Sequence, residues 1–110
     1  MNKVLIGALL LSVVSFSDVL FAQSGASELL KLEATIPMVD VQGRIDHLSI
    51  DLKGQRLFVA ALENNSLEVI DLKERRRVHT INGLAEPQGI AYFPSTNRVF
   101  VANRKDGSVR

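Results

Sequence analysis

The chain has 110 residues, 46% of them apolar and 23% charged, with a formal net charge of +1 and no cysteine. These values exclude a disordered or collagen-like chain and point to no nucleic-acid or anionic-membrane partner. The lack of cysteine excludes a disulfide framework, a thiolate zinc site, a cysteine nucleophile and a lipid-modified cysteine.

Met1-Asn2-Lys3 is a short basic start, followed by an apolar run from Val4 to Val14 broken only by Gly7 and Ser12. A membrane span needs about 20 apolar residues, and a secretory signal peptide needs an apolar region of about 7–15. The run therefore predicts a signal peptide over 1–22 and export to the periplasm or beyond, with no membrane span after cleavage. Ala22 offers a small residue at the cut, and Ser24-Gly25-Ala26 offers a second position. Residues 23–28 read as a short polar linker.

Leu30, Leu32, Ala34 and Ile36 alternate with Lys31, Glu33 and Thr35, which predicts a strand ended by Pro37. Short strands follow at 47–50, 57–62, 66–70, 77–81, 88–93 and 98–102, and another starts at Ser108. Turn-like segments at 53–55, 63–65, 71–76, 94–97 and 104–107 and a loop at 82–87 separate them. Strands of about five residues with short connections predict an all-β meander. The apolar runs Leu57–Leu62 and Val99–Ala102 predict strands covered on both faces.

A shift of 42 residues lays Arg56-Leu57-Phe58-Val59-Ala60 on Arg98-Val99-Phe100-Val101-Ala102. The same shift sets Leu48 on Ile90, Gln55 on Asn97 and Ser66 on Ser108. A period of about 40–45 residues with four strands per unit predicts β-propeller blades. Phe58 and Phe100 are then expected at equivalent buried positions.

The opening Pro87-Gln88-Gly89-Ile90-Ala91, the core Arg98-Val99-Phe100-Val101-Ala102-Asn103 and the close Asn65-Ser66-Leu67-Glu68-Val69-Ile70-Asp71 resemble the YVTN-repeat β-propeller family. The first copy departs from that pattern: Ala61 stands for Asn, and Ile45-Asp46-His47 replaces Pro-x-Gly. The resemblance implies exported binding or scaffold proteins, with relatives that are lactone hydrolases or subunits of periplasmic redox enzymes. Over 29–110 it implies the last strand of one blade, a full four-stranded antiparallel blade at 47–81 and the start of another at 88–110. A ring needs at least four blades, roughly 170 residues. The expectation is an incomplete ring, the N-terminal piece of a longer protein, unstable or associated when isolated; the alternative is a small β-domain that assembles through its open edges.

In such a meander one rim collects 37–46, 62–65, 82–87 and 104–107, and the other collects 52–55, 71–76 and 94–97. Arg44, Asp46 and His47 fall on the first rim, with Glu86 and Gln88 at equivalent places one repeat later. Charged and imidazole groups there can hold a protein or small-molecule ligand or a metal, can act as a general base, or can fix the loop by local hydrogen bonds. Adjacent strand residues point to opposite faces, so Asp46 and His47 are expected to be poor metal partners. No catalytic residue, metal or cofactor is assigned. Lys73-Glu74-Arg75-Arg76-Arg77 reads as a solvated hairpin rather than a nucleic-acid patch, with aromatics at only 5% and no Trp to stack bases.

Overall fold

The computed structural model describes residues 30–110, so the proposed signal peptide and linker lie outside the described residues. Six strands form: β1 (Leu48–Asp51), β2 (Arg56–Ala61), β3 (Ser66–Asp71), β4 (Arg76–Ile81), β5 (Pro87–Phe93) and β6 (Arg98–Asn103). They build a four-stranded sheet in the order β1-β2-β3-β4 and a two-stranded sheet, β5-β6. Every pairing is antiparallel between sequence neighbours.

The hairpin turns share one construction. Turns 52–55, 62–65, 72–75 and 94–97 each end on a residue with positive φ: Gln55 (50°), Asn65 (54°), Arg75 (54°) and Asn97 (51°). This left-handed conformation lets a short loop reverse the chain, and among non-glycine residues Asn tolerates it best. Two strand-ending aspartates cap these turns, Asp51 accepting from the Gly54 N–H (2.9 Å) and Asp71 from the Glu74 N–H (2.7 Å). A β-bulge between Val69 and Ile70 shifts the register of β4.

Side-chain alternation sorts the four-stranded sheet into two faces. Ser49, Phe58 and Val69 stand in register on one face; Leu48, Val59 and Glu68 stand on the other. The first face meets the second sheet. Phe58, Leu67 and Val69 form the core with Leu84 and Val101, and Ile90, Tyr92 and Val99 pack against it. The rings of Phe58 and Tyr92 stack with centroids 5.3 Å apart. Val59, Glu68 and Ile70 on the opposite face are also buried, as the apolar run at 57–62 requires.

Three expectations change. Residues 30–36 form no strand, and Leu30 and Leu32 are exposed. A strand exists only through a ladder partner, and no described strand pairs with this segment. Phe100 lies in register with Ala91 as Phe58 does with Ser49, but it is 40% exposed against 4% for Phe58. Ala102 is exposed as well, so 99–102 is covered on one face only. The alternation there is the same; no third described sheet lies against the face that carries Phe100.

The strand expected from Ser108 begins as a ladder on β6. Val101 and Arg110 exchange backbone hydrogen bonds of 2.8 and 3.0 Å, and the Asn103 N–H donates to the Ser108 carbonyl at 2.8 Å.

Candidate functional site

The segment before β1 is held by β2 and the turn after it. Gly43 has φ +75°, and a Cβ there would collide with the Glu63 side chain. That close approach leaves Glu63 Oε2 free to accept from the Arg44 N–H at 2.7 Å, while Asn64 Oδ1 accepts from the Gln42 N–H at 3.2 Å. The Asp46 N–H then donates to the Ala60 carbonyl, and the Ala60 N–H donates to the His47 carbonyl. These bonds fix the backbone from which three candidate side chains project.

Those side chains do meet. Asp46 Oδ2 lies 2.7 Å from His47 Nδ1, and the Arg44 guanidinium lies 3.8 Å from the same carboxylate. The expectation that neighbours in sequence point apart is overturned because β1 starts at Leu48, so strand alternation does not yet govern 46 and 47. The His47 side chain is 63% exposed and that of Arg44 56%, while Asp46 is 18% exposed. A carboxylate at Nδ1 orients the ring and leaves Nε2 available to a ligand or a proton.

Glu86 and Gln88 do not join this group by any described hydrogen bond or ion pair. Glu86, at φ 53°, has its N–H bonded to Asn65 Oδ1 (3.0 Å) and its carboxylate 3.3 Å from Arg104. Gln88 is half-buried in β5. Asn103, 3% exposed, ties down the loop before β5: its Oδ1 accepts from the Ala85 N–H (3.1 Å), and its Nδ2 donates to Ser108 (3.0 Å). In the first repeat Ala61 occupies the matching position, and Glu63 supplies the bond to the preceding loop instead. Among the described residues no three His, Asp or Glu side chains gather as a metal site.

A second cluster lies at the other rim. Arg56 donates from Nε (3.0 Å) and Nη2 (2.7 Å) to Asp51 Oδ2, and from Nη2 to Asn97 Oδ1 (2.6 Å) and Tyr92 OH (3.3 Å). Its guanidinium carbon sits 5.5 Å and 5.6 Å from the ring centroids of Phe58 and Tyr92. The Gly54 N–H and then Arg56 hold the Asp51 carboxyl below its usual range, and Asp51 raises the Arg56 guanidinium. A cleft of about 370 Å³ opens beside them, lined also by Lys53 and Pro94. The sequence offered one signal for this cluster, the recurrence of Arg56 as Arg98, but not its partners. Asp51 faces Arg56 across its own hairpin, but Tyr92 and Asn97 lie in the β5-β6 hairpin and meet Arg56 only when the sheets stack. With its charge paired to Asp51, Arg56 acts chiefly as a clamp between the sheets.

The basic run is also largely engaged. Arg76 pairs with Glu74 at 2.6 Å, and Arg77 bridges Asp40 (2.5 Å) and the fully buried Glu68 (3.1 Å). Ser66 and Thr80 each donate to Glu68 at 2.6 Å, completing its partners.

Comparison with models of known protein families, with characterised proteins and with solved structures finds no match for this chain.

Proposed function

We propose that this is an exported β-propeller-repeat protein of the YVTN type. In this reading it acts as a binding scaffold, with Arg44, Asp46 and His47 receiving a protein or small-molecule ligand at one rim. The observation that carries the repeat is the shared register: Ser49 opposite Phe58 and Ala91 opposite Phe100, 42 residues apart in both strands. The rim reading rests on two exposed cationic or protonatable groups around one fixed carboxylate, which suits an anionic ligand group.

Succinate is the probe for the rim. Titration followed by NMR should move the His47 ring resonances in the native protein and not in Arg44→Ala, with the fold of both intact. Unmoved His47 resonances overturn the rim reading. The Asp46–His47 hydrogen bond also favours a second reading, a lactone hydrolase in which His47 activates water. Turnover of a simple lactone, abolished by His47→Gln, would select it. Export is tested separately: mass measurement of secreted protein should show a start at Gln23 or Ser27, and an intact Met1 overturns it.

A further inference from the structure

Asparagine or aspartate followed by glycine is prone to cyclise, because glycine has no Cβ to shield its backbone nitrogen from the preceding side-chain carbonyl. The chain holds two such pairs, Asn82-Gly83 and Asp106-Gly107. Both lie in exposed loops, but their bonding differs. Asp106 Oδ1 accepts from the Ser108 N–H (3.0 Å) and from the Ser108 hydroxyl (2.7 Å). The Gly107 N–H, which would have to attack, donates to the Asn103 carbonyl at 3.1 Å. The same bonds from Ser108 hold the Asp106 carboxyl below its usual range, and an ionised carboxylate is a poor electrophile. Asn82 is the opposite case. It follows β4, and among the described residues neither its side-chain amide nor the Gly83 N–H has a hydrogen-bond partner. No atom beyond the chain neighbours lies within 4 Å of where a Gly83 Cβ would stand. The other described asparagines are held: Asn64, Asn65, Asn97 and Asn103 each accept a hydrogen bond at Oδ1.

We propose that Asn82 is a site of spontaneous deamidation and isoaspartate formation, driven by its neighbour Gly83. The Gly83 nitrogen gives up its proton and bonds to Asn82 Cγ; the Cγ–Nδ2 bond breaks, and ammonia leaves with a proton returned from solvent. Water then opens the cyclic succinimide. Attack at Cγ gives aspartate, and attack at the backbone carbonyl gives isoaspartate, whose chain runs on through the former side chain. Either product adds a negative charge and takes the formal net charge from +1 to zero. Isoaspartate also lengthens the backbone by a methylene between Ile81, paired with Leu67, and Leu84, which is in the core and donates to the Asn65 carbonyl at 3.0 Å. The connection between the two sheets must then shift, so ageing at Asn82 loosens their junction. The inference is independent of the ligand rim and of how many repeats the whole protein carries.

Incubation of the full chain in mildly alkaline buffer, followed by trypsin, gives the peptide 78–98, which carries Asn82 and Asn97 together. Fragment masses should place the amide-to-acid gain at Asn82 and leave Asn97 intact, and an isoaspartyl methyltransferase should label the same peptide. An intact Asn82, or equal conversion of Asn82 and Asn97, overturns the proposal. A urea-unfolded sample separates sequence from structure. Asn82 should convert at a similar rate in both states, whereas Asp106 should isomerise only when unfolded. Protection of Asn82 by folding overturns the inference. Asn82→Gln, whose longer side chain closes a ring far more slowly, should keep the fold and lose the label. A label that persists in this variant places the reaction elsewhere and overturns it. The isoaspartate-bearing fraction should melt at a lower Tm than fresh protein, and an unchanged Tm overturns the effect on the junction.

Discussion

The two sheets are built from equivalent sequence, yet they bury it differently. In the four-stranded sheet β2 and β3 hold a continuous buried block, from Phe58 to Leu62 and from Ser66 to Ile70. In the two-stranded sheet only alternate residues of β6 are buried, Val101 and Asn103, while Phe100 and Ala102 are exposed. The same Phe-Val-Ala triplet therefore has two environments. A strand sequence specifies which residues share a face, and the neighbouring layer determines whether that face is dry. Truncation should expose this difference most strongly. Phe58→Ala should cost about 3–5 kcal/mol, because it removes a packed ring and leaves a cavity. Phe100→Ala should cost about 1 kcal/mol or less, near the behaviour of a surface site. Urea unfolding of the two variants measures both, and equal losses would show that the second sheet is covered in solution.

The loops before β1 and β5 supply the next test. Asn103 secures one through the Ala85 N–H, and Glu63 secures the other through the Arg44 N–H. Asn103→Ala should cost about 1–3 kcal/mol, since it strands a partly buried backbone donor. Ala61→Asn, which restores the repeat pattern in the first copy, should also destabilise. Ala61 is fully buried beside a loop that Glu63 already holds, and overpacking such a site costs about 1–3 kcal/mol. Stabilisation by Ala61→Asn in the same unfolding assay would show that the two loops are interchangeable.

The clamp between the sheets should be visible in acid. The Asp51 carboxyl is lowered in the folded protein by the Gly54 N–H and by Arg56. Its contribution is therefore fully present above the unfolded value of about 3.9 and is lost as pH falls through the lower folded value. Thermal unfolding of Asp51→Asn should show a lower Tm at pH 7 and a smaller further fall below pH about 4 than the native chain. Parallel pH profiles for the two proteins would remove Asp51 from the acid transition. The smallest expected effect lies in the turns. Gln55→Asn copies Asn97 at the matching left-handed position and should stabilise by less than about 1 kcal/mol.

Apolar runs and alternation between turn residues marked the six antiparallel strands that form, and the 42-residue recurrence marked β2 and β6 as equivalent strands. Period-2 alternation and turn chemistry are local, so a single sequence displays them. The candidate group Arg44, Asp46 and His47 was legible for the same reason, being contiguous, although its geometry was not: the hydrogen bond between Asp46 and His47 depends on where β1 begins. What depends on a partner from elsewhere in the chain was decided only by tertiary structure. Alternation at 30–36 was a sound strand pattern without a ladder to join. The Arg56 clamp joins residues 41 positions apart in two hairpins, and the buried Glu68 depends on Arg77 and Thr80 across the β-bulge of β4. Local pattern states which way a side chain points; only the stacking of sheets determines what it meets there, because burial and ion pairing are properties of two surfaces and not of one strand.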